Sequence, residues 1–447
     1  MKYKDLLKKL LNQGKDRVEE LEAFLVKNKE IDINIYEGEI SKYSIAESGG
    51  LSLRGLSDGK MGYSYTEKLD ESSFHELIDN VVENAKYIDE DPERIFSGSD
   101  EYENQDNFNE ELKDIELEDK IQFLLDLEKE ALELDDRVSK VNICAYQEFE
   151  NERYILNTKE VDLQDRANVG VVYIAVIVKD GEDTKTGMSY KVFNDFSDIN
   201  YEEMAKEAVE NGTSMLGARS VKSNNYPIIF ENKTFANLLA AFSSIFMADN
   251  VQKGLSLLKG RLGETIGSPI LTIVDDPFLE EGFGSRNFDD EGTSTRFKNI
   301  VDNGELKNYL YNWKAADKDG VESTGNASRS YKGTISTSPT NLYIVKGDMS
   351  LEELMGYAES GLYINNLEGL HSGLNPVSGD FSLSASGYKV EYGEVTNPVN
   401  QITIAGNLFE VFKNIEVIGN DLEFGMLSSG YIGSPSVVVS SLTVSGE

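Results

Sequence analysis

Apolar positions change period several times along the first half of the chain, and each change predicts an element. Leu6, Leu7, Leu10 and Leu11 recur at helical spacing and are followed by Val18, Leu21 and Leu25, which predicts an amphipathic helix interrupted near Gly14. Ile31, Ile33 and Ile35 then alternate with Asp32, Asn34 and Tyr36, the period of a half-buried strand. Asp58-Gly59 separates the runs LSLRGLS and KMGYSYT and predicts a hairpin, because glycine takes a positive φ without steric cost. Helical spacing returns over Glu71 to Ala85 through Phe74, Leu77, Val81 and Val82. A long helix follows, with Ile121, Leu124, Leu125, Ala131 and Leu132 on its apolar side. Strand-like runs occupy 141–147, 153–158, 168–178 and 187–193, and a further helix covers roughly 201–216.

The passage ARSVKSNNYPIIF is rich in turn formers and predicts a domain boundary near residue 223, in keeping with a length at which a single core usually stops growing. Beyond it the pattern is mostly short and β-branched, as in ILTIVDD, QITIAGN and SVVVSSLTV, broken by a helix over 232–250 and a short one after Ser350. The prediction is an α+β protein: an N-terminal mixed α/β domain over 1–223 and a C-terminal, mostly antiparallel β domain with long loops over 224–447, a sandwich or partly closed barrel. No charged residue occurs from Phe424 to Gly446, so this tail is expected inside a sheet or under a partner.

Charge narrows the function. The chain carries 80 acidic and 43 basic residues, a formal charge of −37, and a field of that sign repels the phosphate backbone. Direct binding of nucleic acid is therefore not expected. Residues 89–120 hold 14 of the acidic and 3 of the basic side chains, which predicts a solvated excursion. The single cysteine, Cys144, sits in an alternating apolar run and reads as a small buried hydrophobe. The N-terminus breaks into charges before a signal-peptide core forms, and no stretch has the apolar length of a membrane span, so a cytoplasmic protein without a membrane partner is expected.

Candidate chemistry is sparse. On the helix NKTFANLLAAFSSIFMADN, Phe235, Leu238, Leu239, Phe242, Ile245 and Phe246 form the core-facing stripe, while Leu239, Ala240 and Ser244 offer zinc no nitrogen, thiolate or carboxylate. Ser243 and Ser244 need an activating base to act as nucleophiles, and the chain has two histidines. His75 lies in a helix, and His371 lies in the glycine-rich loop EGLHSGLNPVSGD. Asp275-Asp276 ends a strand before Pro277, with one carboxylate expected at a turn and the other toward solvent. GRLGETIG lacks the spacing of a phosphate loop or a dinucleotide fingerprint.

Several runs in order resemble one family: YPIIFENKTFANLL, KGRLGETIGSPILTIVDDP, FDDEGTSTR, LYNWKAA, STGNASR and GLHSGLNPVSGDFSLSASGYKVEYGEVTNPVNQITIAGNLFEVFKNIEVIGND. Over most of its length the chain resembles the TldD/PmbA family, named for modulation of DNA gyrase and related to metalloproteases, and is most similar to its PmbA branch, also called TldE. The resemblance implies a cytoplasmic assembly of a TldD-like subunit with a TldE-like one that degrades or processes unfolded peptides. TldD-type chains carry His-Glu-x-x-x-His where this chain has Leu239, Ala240 and Ser244. The implied role is thus that of a noncatalytic subunit with no cofactor of its own, zinc residing in the TldD-like partner. Ser243, Ser244, His371, Asn375 and Asp380 are the expected peptide or partner contacts; alternatively the loop residues satisfy local backbone groups and the serines permit close packing. A homodimeric peptide-binding or scaffold protein, and an autonomous hydrolase with an unrecognised site, are the competing expectations.

Overall fold

The computed structural model describes residues 2–88 and 94–447. Helix α1 (Lys2–Gly14) ends where the chain turns sharply, and strand β1 (Glu20–Tyr36) begins six residues later. Leu21 and Leu25 therefore belong to the strand and not to an extension of the first helix. A spacing of four residues fits both periods, and here Leu21, Ala23 and Leu25 continue the face of Ile31, Ile33 and Ile35. The meander continues through β2 (Glu39–Ser57) and β3 (Lys60–Thr66), joined by Asp58-Gly59 with φ of 52° and 73°, the two positive values of a type I′ turn.

Helix α2 (Phe74–Ala85), short α3 (Glu110–Asp114) and α4 (Leu117–Glu133) precede β4 (Val138–Asn157), β5 (Asp162–Asp180) and β6 (Asp183–Phe193); α5 (Tyr201–Thr213) follows. The six strands form one antiparallel sheet in the order β3-β2-β1-β4-β5-β6. Both helical layers cover the same face. Leu7, Leu10, Phe74, Leu77 and Val81 pack on Leu21, Leu25, Leu51 and Leu156 at one end. At the other, Leu124, Leu127, Ala205 and Ala208 pack on Ile33, Val172, Ile174 and Val176. Cys144 is buried among the latter, its thiol donating to Leu124 O at 3.4 Å, and burial pushes that thiol far above its ordinary range.

The second half opens with β7 (Asn224–Phe230) and α6 (Asn232–Phe242), a 3₁₀ turn (Ser243–Phe246) and α7 (Ala248–Gln252). Then come β8 (Ile273–Asp275), β9 (Lys298–Asp302), β10 (Glu305–Leu306), α8 (Trp313–Asp319), the two-residue strands β11 (Ala327–Ser328) and β12 (Ser336–Thr337), and β13 (Asn341–Ile344). The remainder is α9 (Leu351–Ala358), β14 (Ser360–Glu368), β15 (Asp380–Glu391), β16 (Glu394–Asn407), α10 (Leu408–Lys413), β17 (Ile415–Ile418), β18 (Glu423–Phe424), β19 (Tyr431–Ser434) and β20 (Val437–Ser445). One sheet runs β16-β15-β14-β7-β20-β17, and because β16 also pairs with β20 the ring of five strands closes. A second runs β10-β9-β8-β13-β19-β18. Pairing is antiparallel except between β14 and β7 and between β13 and β19. The uncharged tail lies inside these sheets as β19 and β20, with Val437, Val439 and Val444 fully buried.

The predicted solvated excursion differs from what is found. Residues 89–93 lie outside the described residues; from Ile95 to Asn109 the chain is a strap laid along the junction of the two halves. Ile95 and Phe96 are buried, the Phe96 ring lies 5.1 Å from that of Trp313, and Tyr102 OH donates to Gly292 O at 2.8 Å. Gln105 and Asn287 exchange two backbone-to-amide hydrogen bonds of 2.9 and 2.8 Å. The acidic side chains point outward while a few apolar and amide groups anchor the segment, an arrangement that net charge alone conceals.

Candidate functional site

Helix α6 is held by its stripe. Phe235, Leu238, Leu239 and Phe242 are essentially inaccessible, with Phe230 against Phe235 at 5.4 Å and Phe242 against Phe381 at 6.4 Å between ring centroids. The predicted single helix over 232–250 is broken instead. Met247 takes ψ 121°, so the stripe residues Ile245 and Phe246 belong to a 3₁₀ turn and α7 starts afresh at Ala248. Leu239 is 1% exposed in the core, and Ala240 is half-buried beside it. Ser243 Oγ donates to Ala240 O at 2.9 Å, and the Ser244 carbonyl accepts from Asn250 Nδ2 at 3.1 Å. Both serines thus lie in the turn.

Glu231 immediately precedes α6. Its carboxyl is pushed up to about 7 by burial, against the Thr234 hydroxyl that donates to it at 3.0 Å and the charge of Lys233, with Glu207 and Asp421 adding to the rise.

The loop between β14 and β15 carries the other candidates. His371 is exposed and makes no hydrogen bond among the described residues. Asn375 Oδ1 accepts from Val377 N at 3.0 Å and Ser378 N at 3.3 Å, and Asn375 N donates to Asp380 O at 2.8 Å. Asp380 Oδ1 accepts from Asn407 Nδ2 at 2.8 Å, and the hydrogen bonds from Asn407 and Ser378 hold its carboxyl below the ordinary range. The structure therefore joins Asn375 and Asp380 in one loop network and leaves His371 outside it. The contact from this region to α6 is the Phe242–Phe381 ring pair, and no hydrogen bond links Ser243 or Ser244 to the loop among the described residues.

The runs FDDEGTSTR and STGNASR, to which the sequence pattern assigns no position, hold a concentration of buried polar side chains. On the outer face of the N-terminal sheet, Arg153 donates to Asp165 and Asp290, each at 2.7 Å. Arg54 donates to Glu22 at 2.8 Å and approaches Glu291 at 3.6 Å, while Arg329 reaches back to Glu22 at 2.7 Å and stacks over Phe24. Against the burial that would raise it, Arg54 and Arg329 hold the Glu22 carboxyl below its ordinary range. Asp289 accepts three backbone N–H groups, from Glu291, Thr293 and Ala327, yet burial still raises it. The expectation for Asp275-Asp276 is corrected in part. Asp275 is fully buried rather than at a solvent-facing strand end, paired with Lys298 at 2.8 Å and bonded by Asn326 and Thr340; Asp276 accepts from Phe278 N at the turn. The available signal was a run of three acids, Asp289-Asp290-Glu291, followed by glycine and threonine.

Zinc does not fit α6. Leucine, alanine and serine occupy the three positions, and among the described residues no three His, Cys, Asp or Glu side chains are grouped so as to hold a metal ion.

Family models of the PmbA/TldA metallopeptidases match in three consecutive parts: domain 1 over residues 21–85, the central domain over 110–216 and the C-terminal domain over 223–446. The chain belongs to the PmbA/TldD metallopeptidase family. It is similar to an uncharacterized protein of Methanocaldococcus jannaschii, 31% identical over 437 residues that cover 97% of this chain and 98% of that one. Among solved structures it is similar to a Thermotoga maritima protein described as a candidate modulator of a DNA gyrase, with TM-score 0.91, 31% identity and 99% of each chain covered. TldE from Thermococcus kodakarensis has the same fold, with TM-score 0.91 at 24% identity over 99% of this chain and 100% of that one.

Proposed function

We propose that this chain is the TldE/PmbA-like, noncatalytic subunit of a two-subunit peptidase whose TldD-like partner holds the zinc and acts on unfolded peptides. The observation that carries the reading is the identity of Leu239 and Ala240 on α6 and Ser244 in the turn after it, where water activation requires imidazoles and a carboxylate. The partner polarises the peptide carbonyl; this chain completes the enclosing wall and aligns an extended segment. Ser243, Ser244, His371, Asn375 and Asp380 are the proposed wall or partner contacts, and among the described residues the exposed His371 side chain makes no hydrogen bond that would compete with such a contact. The family match supports a TldD-like partner, and the formal charge of −37 supports a role away from nucleic acid. Among the described residues no helix is long and apolar enough to cross a membrane, in keeping with a cytoplasmic setting. We further propose that residues 1–223 and 224–447 act as the two domains of this subunit.

The test is to purify the chain alone and together with its cognate TldD-like protein, and to measure bound zinc and cleavage of an unstructured peptide in parallel. Zinc and cleavage in the mixture, with neither in this chain alone, is the expected outcome. Equal cleavage by this chain alone, retained after rigorous removal of contaminating peptidases, overturns the reading in favour of an autonomous hydrolase. Stable self-association with no affinity for the TldD-like protein overturns it in favour of a homodimeric scaffold.

A further inference from the structure

A cavity of about 290 Å³ opens where β4 and β5 meet the strap and the loop over residues 280–286. Three of the acceptor side chains on its wall are already engaged. Asp165 takes Arg153 Nη2 at 2.7 Å and Arg166 N at 3.0 Å, Asp106 takes Phe108 N at 3.1 Å, and Asn168 exchanges two bonds with the Asn109 backbone. Two donors on the wall are not. Asn107 Nδ2 and Arg286 Nε are both buried without an acceptor, and both residues belong to the cavity wall. Apart from one long contact of 3.4 Å from Nη2 to Ser338 O, the Arg286 guanidinium makes no hydrogen bond, and no carboxylate lies within ion-pair reach of it among the described residues. Its acidic neighbours are committed elsewhere: Asp290 to Arg153 and Arg329 N, Asp275 to Lys298, Asp289 to three backbone N–H groups.

A buried donor without an acceptor costs free energy, so the two surplus donors on the wall select a ligand that accepts. We propose that this cavity binds a monoanionic carboxylate, oriented by Arg286 and Asn107, with its apolar portion against Phe149 and Phe283. The guanidinium presents Nε and Nη in the fork that matches a carboxylate. Glu280 and Asp106, both exposed on the wall, oppose a dianion such as phosphate. Burial lowers the Arg286 pKa from its ordinary value, against the charges of Asp290, Asp289 and Asp275, none of which is hydrogen-bonded to it. The carboxylate comes either from a peptide C-terminus or from a small organic acid, and both share this chemistry.

The inference concerns this chain alone and does not need the subunit reading. Calorimetric titration of the purified chain with N-acetylphenylalanine, N-acetylphenylalaninamide, inorganic phosphate, and a pentapeptide ending in phenylalanine as free acid or amide tests it. The free acids should bind and their amides and phosphate should not; binding by the peptide acid identifies a peptide terminus, and binding by the small acid alone identifies an organic acid. Arg286→Gln should weaken acid binding about ten- to a hundredfold, the loss expected for a charge-assisted hydrogen bond. Asn107→Ala removes an amide N–H that bonds nothing in the protein, and should weaken binding about threefold or more with the melting temperature unchanged. Equal binding of acid and amide, no binding of either acid, or unchanged acid affinity in both folded variants overturns the proposal.

Discussion

Replacing Glu231 with glutamine should make the protein more stable at high pH and leave it nearly unchanged at low pH. The carboxyl, ordinarily near 4.5, is raised to about 7 by burial next to α6. Between those values the native state holds a proton that the unfolded chain releases, so stability falls as pH rises through the window and stays at the lower level above 7. A displacement of two and a half pH units at 1.36 kcal/mol each sets a ceiling of about 3 kcal/mol. Glu231 keeps some contact with water, which screens the charge and brings the expected penalty to about 1–2 kcal/mol. Glutamine retains the acceptor for the Thr234 hydroxyl and removes the ionisation. Urea unfolding of both proteins at pH 5 and pH 8.5 measures the difference. The variant should gain about 1–2 kcal/mol on the wild type at pH 8.5 and much less at pH 5. The buried Asp289–Glu291 pair titrates identically in both proteins and cancels from the comparison. Parallel wild-type and variant stabilities across the two pH values would refute the assignment of a raised carboxyl to Glu231.

Lys298→Met leaves Asp275 fully buried without its cation and should cost about 3–5 kcal/mol, with Asp275→Asn added to it recovering a substantial part; chemical denaturation of the single and double variants reads this directly. Phe96→Ala removes the ring that packs on Trp313 and should weaken the strap by about 3 kcal/mol, seen as faster limited proteolysis between residues 94 and 109 while the core amides stay protected from exchange.

Much of the architecture was legible because several local signals are unambiguous. Asp58-Gly59 between alternating runs admits few structures other than a two-residue hairpin, and the valine-rich end of the chain has to lie inside a sheet. Leu21 and Leu25 were not legible, since a separation of four residues satisfies both the helical and the strand period. The break at Met247 was hidden for a related reason: the spacing of Phe242, Ile245 and Phe246 buries the same side chains whether the turn is α or 3₁₀. Leu239, Ala240 and Ser244 could be read as non-ligating from identity alone, which requires no geometry. Arg286 and Asp290 could not be placed, because their partners Ser338 and Arg153 lie 52 and 137 residues away and nothing in the local pattern names them.

The placement of charge at the junction explains why the two halves can position a site that neither holds alone. A buried ion pair contributes little net stability compared with apolar residues of the same volume, but breaking one strands a charge at a cost of about 3–5 kcal/mol. Here the pairs cross in both directions. Arg54 and Arg153 of the N-terminal sheet are met by Glu291 and Asp290, and Arg329 of the C-terminal half returns to Glu22. A slip of the sheet along the junction would separate these pairs and leave several buried charges uncompensated at once, so one alignment is favoured steeply over its neighbours. Within that alignment Arg286 has no carboxylate within ion-pair reach among the described residues, and it stands on the wall of a cavity that the same alignment creates. The pairs that commit Asp290 to Arg153 and Asp275 to Lys298 are what leave its guanidinium available to a ligand.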